Sequence, residues 1–155
     1  MIISKKRKKQ PMIVKINDAK LEQCASYKYL GVIFDKNLNW KPHIDYLCVK
    51  LARVCGSLAR IRNCVSTEFM REIYHALVHL HLRYGVLAWG NASKTTIQPL
   101  INMIHRAIRI MSFAPFGRID LKPIYKEFKL LDLDQIFSLE SAKFMYKRNV
   151  PSAPT

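Results

Sequence analysis

The sequence predicts an α+β fold, mostly helical, with a small N-terminal β element of two to three strands followed by a bundle of three to five helices. Three observations carry that expectation. Residues 11–37 hold short β-rich apolar runs interrupted by turn residues, and after Asn39 the apolar spacing changes to an alternation of three and four. Half of the 155 residues are apolar, enough to bury one core in one compact domain. The divisions expected are a basic, flexible segment over residues 1–10, the β element over 11–37, a helical domain over 38–149 and a tail over 150–155.

In the β element, Met12 to Ile16 is β-rich, Asn17-Asp18 supplies a turn, and Ala19 to Cys24 is placed to return as its partner. Tyr29-Leu30-Gly31-Val32-Ile33-Phe34 is the strongest apolar strand candidate, and Asp35-Lys36-Asn37 ends it. A glycine inside such a run marks a point where something approaches the backbone closely.

The first helix is expected from Asn39, its cap, with Pro42 tolerated in the first turn. Its packing stripe is Ile44, Leu47, Leu51, Val54, Leu58 and Ile61, and Lys50, Arg53, Ser57 and Arg60 share the neighbouring face. Ser66 opens a second helix, with Glu68 suited to the positive end of its dipole. Met70, Ile73, Leu77, Tyr84 and Leu87 repeat along it, with Tyr74, Leu80 and His81 beside them, before Gly90-Asn91. A third helix runs from Thr96 to about Met111 on Ile97, Leu100, Ile101, Ile104, Ala107, Ile108 and Met111, with Arg106 and Arg109 on its other side near His105. Pro115, Gly117 and Pro123 break the following stretch, leaving one short helix over Ile124 to Phe128, and a last helix spans Asp134 to Arg148.

The charge points to a class of partner. Twenty-six Lys and Arg against 11 Asp and Glu give a formal charge of +15, a self-repulsion that a polyanion relieves. Nucleic acid leads as that partner and an anionic membrane surface follows. Lys5, Lys6, Arg7, Lys8 and Lys9 form one run, readable as a solvated loop, an import signal or a phosphate-contacting strap. No apolar stretch reaches the ~18 residues of a membrane span, and Met1-Ile2-Ile3 is too short for a secretory signal core, so an intracellular chain, nuclear or cytoplasmic, is expected. Cys24, Cys48, Cys55 and Cys64 show no C-x-x-C pair and read as buried reduced thiols.

Catalytic patterns are missing. His75, His79 and His81 are close in sequence, yet Ala76 stands where a zinc protease needs Glu, and no further ligand completes a set. Polymerase chemistry needs carboxylates gathered around two divalent ions. Here Asp18, Asp35 and Asp45 lie far apart, and Asp134 is placed as a helix cap. No catalytic residue, metal ligand or cofactor is assigned to this chain.

Tyr27 to Asp35 followed by Leu38 to Ile44 resembles a stretch of the reverse transcriptases of jockey-like non-LTR retrotransposons, which are RNA-directed DNA polymerases. His81-Leu82-Arg83-Tyr84-Gly85 with Trp89-Gly90, then Arg106 to Ile110, then Phe144 to Lys147, continue the match in order. The resemblance implies that the β element is a palm edge and the helices a thumb. Tyr29, Leu30 and Gly31 would then act as a primer grip, with strand packing as the competing reading. Lys50, Arg53, Arg60, Arg106 and Arg109 would hold the phosphates of an RNA and DNA template-primer, with a solvated face as the alternative. It also implies partners in the fingers and palm, and magnesium for the parent enzyme. The Y-x-D-D aspartates of the family are absent from the sequence, so this chain is expected to be a non-catalytic fragment. Two other classes remain, a stand-alone basic helical nucleic-acid-binding protein and a helical protein-interaction module.

Overall fold

A computed structural model of the chain describes residues 15–16, 19–20, 24–114 and 120–149. The basic run at Lys5 to Lys9, the Asn17-Asp18 turn and the tail lie outside the described residues. The α+β, mostly helical class holds. Two antiparallel strand pairs come first: β1 (Lys15–Ile16) with β2 (Ala19–Lys20), and β3 (Ser26–Tyr29) with β4 (Val32–Asp35). The expected continuous strand from Tyr29 to Phe34 is therefore two strands. Tyr29 pairs with Val32, so Leu30-Gly31 is a two-residue hairpin turn. Both have positive φ, 45° and 81°, the combination of a type I′ turn that matches the twist of the strands. This split raises the count of described strands to four.

Asp35 ties the hairpin to the first helix. It is buried, and its carboxylate accepts the backbone N–H of Asn37 and of Trp40, each at 3.0 Å. Helix α1 (Lys41–Ile61) then starts one residue later than expected, with Trp40 at the cap position and Pro42 in the first turn. Asn39 still serves the start, because its side-chain oxygen accepts the Lys41 N–H at 2.9 Å. Ile44, Leu47, Leu51, Cys55 and Leu58 are buried along one face, each Leu or Ile contributing about 1.5–3 kcal/mol by leaving water.

The second helical stretch departs most from the expected pattern. It comprises α2 (Thr67–Tyr74), a π-helical turn (His75–His79), α3 (Leu80–Arg83) and α4 (Val86–Trp89). Ser66 caps α2, accepting the Phe69 N–H. The buried residues are Met70, Tyr74, Val78, Leu82, Val86 and Trp89. A spacing of four drifts around an α-helix of 3.6 residues per turn, and the wider π turn absorbs that drift. Leu77, Tyr84 and Leu87, expected in the packing stripe, are instead exposed, as is Leu80. Gly85, with φ 65°, breaks the helix between α3 and α4.

Helix α5 (Lys94–Met111) is capped by Ser93 and packs along α1, burying Ile97, Leu100, Ile104, Ala107, Ile108, Ile110 and Met111. The short helix α6 (Lys122–Glu127) begins two residues before the expected Ile124. In α7 (Leu133–Asn149) the cap role expected of Asp134 belongs to Asp132. Its carboxylate accepts the Gln135 N–H at 2.8 Å while the Gln135 side chain accepts the Asp132 N–H at 3.0 Å, the reciprocal arrangement of a capping box. One apolar cluster runs from Ile44 to Ile136. All four cysteines are free, but Cys55 alone is buried; Cys24 and Cys64 are exposed because they sit outside the helices.

Candidate nucleic-acid interface

The hairpin turn sits against the break between α3 and α4. Val32 is buried there, and a Cβ on Gly85 would come within 2.9 Å of its Cγ2. The Tyr84 hydroxyl donates to the Leu30 carbonyl at 2.6 Å. The Tyr84 ring edge lies so near Gly31 that a Cβ would meet it at 3.2 Å. Thus the close approach expected at Gly31 exists, and within the chain the approaching group is Tyr84. Tyr29 and Leu30 point to solvent, 60% and 70% exposed.

A cleft of about 350 Å³ opens beside the turn, lined by Gly31, His43, Tyr46, Leu47, Lys50, Ala76, Leu80, His81 and Tyr84. It brings together Gly31 and Lys50, two residues singled out by the sequence for different reasons. Lys28 of β3 joins them through Tyr46. Its ammonium lies 4.8 Å from the Tyr46 ring centroid and donates to the phenol oxygen at 3.3 Å. The Lys50 ammonium lies 4.9 Å from the same ring. Lys50 and Lys28 together hold the Tyr46 phenol below its usual range. Cations on an aromatic ring are moderately stabilised by its quadrupole.

His43 forms the floor. It is 1% exposed, packed 5.7 Å from Trp89 between ring centroids, and its Nδ1 accepts the Ile33 N–H at 3.3 Å. That bond places the ring proton on Nε2. Nε2 is buried without a hydrogen-bond partner among the described residues. Burial, reinforced by the nearby Lys50 charge, pushes the imidazole pKa down to about 4.

The remaining cations divide. Arg53 and Arg60 are exposed on α1 and follow Lys50 at helical spacing. Arg106 is exposed on α5. Arg109 instead lines a second cleft of about 870 Å³, together with Lys122, Lys126, Lys129, Asp120 and Asp132. Lys41, Arg71, Arg83 and Lys143 are engaged with Asp45, Glu72 and Glu140. Arg53, Arg60 and Arg106 form no ion pair among the described residues.

His75 and His79 meet edge to face, with ring centroids 5.3 Å apart, inside the π turn. Among the described residues no three His, Cys, Asp or Glu side chains gather where they could hold a metal ion. No helix among them is long and apolar enough to cross a membrane.

Sequence reasoning missed Lys28, Tyr46 and His43. Lys28 and Tyr46 are 18 positions apart and meet only because the chain reverses at Leu30-Gly31. His43 carried a weak signal, since it stands four residues before Leu47 on the edge of the packing stripe.

No protein-family model matches the chain, and no solved structure matches it. Among curated proteins it is similar to the RNA-directed DNA polymerase from mobile element jockey of Drosophila funebris, 31% identical over 107 residues, which covers 66% of this chain and 12% of that protein. The polymerase of the same name from Drosophila melanogaster is 26% identical over 141 residues, covering 88% of this chain and 15% of that protein. The probable RNA-directed DNA polymerase from transposon BS of Drosophila melanogaster is 27% identical over 100 residues, 62% of this chain and 11% of that protein. The chain is a distant homologue of these polymerases, and it spans no more than 15% of the length of the curated relatives it matches.

Proposed function

We propose that the chain is a segment of a non-LTR retrotransposon reverse transcriptase that grips the template-primer duplex by its backbone. The hairpin turn at Tyr29, Leu30 and Gly31 acts as the primer grip, and Lys50, Arg53 and Arg60 hold phosphates along α1. The observation that carries this reading is the shared cleft of Gly31 and Lys50, continued along α1 by two arginines without ion pairs among the described residues. A grip that must accept any sequence needs charge and shape, which these residues supply, and no base-specific contact. Arg106 adds to the grip from α5, and Arg109 contributes from the second cleft. The fingers and palm of the parent polymerase are the partners that would cover the exposed Tyr29 and Leu30.

The chain itself is non-catalytic in this reading. Magnesium, implied for the parent enzyme, finds no gathered carboxylates among the described residues, so no metal-dependent step is assigned to them. The test is primer extension with the purified chain and magnesium, alongside binding of RNA–DNA hybrid and duplex DNA. No incorporation is expected, and the two duplexes should bind within about tenfold of each other, because backbone contacts carry no base code. Incorporation that survives exhaustive purification would overturn the non-catalytic assignment.

A second reading is a stand-alone basic nucleic-acid-binding protein. It is favoured by the unbroken apolar cluster from Ile44 to Ile136. A monodisperse monomer that melts cooperatively at high concentration supports it over a segment needing its palm.

A further inference from the structure

We infer that the second cleft, between α5, α6 and the start of α7, is a docking site for an acidic protein segment that carries an apolar anchor residue. The partner is a protein rather than the template-primer, and its cleft shares no lining residue with the one at the hairpin turn.

Lys122, Lys126 and Lys129 line the cleft and are exposed, and none is in an ion pair among the described residues. Lys122 and Lys126 stand four apart on α6, a helix of only six residues, and like charges at that spacing repel. Lys129 sits where a lysine is strained. It follows α6 with φ 51°. Around it the Leu130 N–H donates to the Tyr125 carbonyl at 2.8 Å, and the Lys129 N–H to the Lys126 carbonyl at 3.1 Å. These two bonds make a Schellman motif, whose left-handed position glycine usually fills because a Cβ is strained there. Three cations thus stand on one short helix and its end against repulsion and backbone strain. Carboxylates from a partner relieve the repulsion through charge-assisted hydrogen bonds.

The same cleft has an apolar wall. Leu121 and Leu130 are buried, while Tyr125 and Leu131 are partly buried and packed against the core. His105 meets the Tyr125 ring edge to face, with centroids 6.3 Å apart. Burial, with Asp132 adding to it, pushes the Tyr125 phenol up to about 12, so its hydroxyl keeps its proton and remains a donor. The volume of about 870 Å³ lies towards the upper end of ligand pockets, which run from roughly 300 to 1,000 Å³. It has room for an anchor side chain and its neighbours.

These features favour protein over nucleic acid. Asp120 and Asp132 also line the cleft and repel a phosphate backbone. They are fixed there, because their carboxylates accept the N–H of Lys122 at 3.0 Å and of Gln135 at 2.8 Å. A phosphodiester backbone is charged at every unit and has nothing to set against Leu121 and Leu130. An acidic segment presents its charges singly, to the lysines, and its apolar residue to the wall. Basic clusters that receive acidic motifs, and apolar grooves that receive anchor residues, are recurrent modes of peptide recognition.

The experiment is an anisotropy titration of the full chain against a fluorescein-labelled peptide, Glu-Asp-Glu-Phe-Glu-Asp-Leu, and against the same peptide with Ser in place of Phe and Leu. The first should saturate, and the second should bind about tenfold more weakly because its anchors are gone. Resonance changes in the isotopically labelled chain should centre on Tyr125, Lys129 and Leu131. K122Q/K126Q/K129Q should weaken the Phe-containing peptide by about tenfold and weaken duplex binding much less. Arg109, the one lining residue that the grip shares, is unchanged in that variant. K129G removes the strain together with the charge, so it should melt higher and still bind the peptide more weakly, which separates loss of the site from loss of the fold. Equal binding of the two peptides overturns the inference, as does failure to saturate by about 1 mM. A fall in duplex affinity as large as the fall for the peptide assigns the cleft to nucleic acid and also overturns it. Peptide binding by a chain that binds no duplex removes the grip and supports this site.

Discussion

The Tyr84 hydroxyl donates a 2.6 Å hydrogen bond to the Leu30 carbonyl across 54 positions of sequence, joining the hairpin tip to the break in the second helical stretch. Tyr84→Phe removes that bond and leaves the ring against Gly31. The expected loss is about 1 kcal/mol, small because the carbonyl then faces water. Amide exchange should rise in the hairpin and stay unchanged in α5, which hydrogen-exchange measurements resolve.

Gly31→Ala acts at the same contact by a different route. Its φ of 81° is a left-handed conformation, and the added Cβ meets Tyr84 at 3.2 Å. The expected cost is about 1–2 kcal/mol from backbone strain alone, measured as a fall in urea midpoint. Gly90→Ala should be worse, because its Cβ would lie 2.6 Å from the Val86 carbonyl oxygen and 2.7 Å from the Phe137 ring. Backbone at one contact and a half-buried ring packed against the core at the other leave little room to yield.

His43 gives the fold a pH dependence. Burial, with help from Lys50, lowers its pKa from 6.5 to about 4. Between those values the unfolded chain takes up a proton that the folded chain refuses, so stability falls as pH drops from 6.5 towards 4 and levels below it. The full difference is about 3 kcal/mol as an order of magnitude. His79 and His105 are also lowered by burial, so His43→Asn should reduce the slope without abolishing it. Its amide oxygen can still accept the Ile33 N–H. Thermal melts across this range provide the check, and an unaltered slope in the variant contradicts the assignment.

Asp132→Ala removes one half of the capping box with Gln135. The expected loss is about 1 kcal/mol, confined to the start of α7 and seen as faster exchange at Gln135.

The helices were legible wherever one face alone meets the core. Ile44, Leu47, Leu51 and Leu58 on α1, and Ile97, Leu100, Ile104 and Ile108 on α5, keep the α-helical period and are buried. From Met70 to Trp89 apolar residues surround the helix, so periodicity could not choose a face. The π turn then shifted the buried set to Tyr74, Val78 and Leu82. The hairpin was hidden for a related reason. Leu30 occupies a positive-φ position that usually advertises itself with Asn, Asp or Gly, so Tyr29 to Phe34 read as one strand. With the reversal unseen, Lys28 and Tyr46 could not be brought together. Gly31 and Lys50 were found separately, and only the folded chain sets them in one cleft.

Phosphate binding by the Lys50, Arg53 and Arg60 face is central to the proposed grip, and the salt dependence of duplex affinity tests it most directly. Anisotropy titrations of the chain and its K50Q/R53Q/R60Q variant, each at several salt concentrations, give log affinity against log salt. A phosphate-holding face predicts weaker binding of every duplex sequence by a similar factor in the variant. Its slope should also be flatter by about one unit for each phosphate left without its cation, as fewer counterions are released. An unchanged slope with unchanged affinity would show that this face of α1 is only solvated.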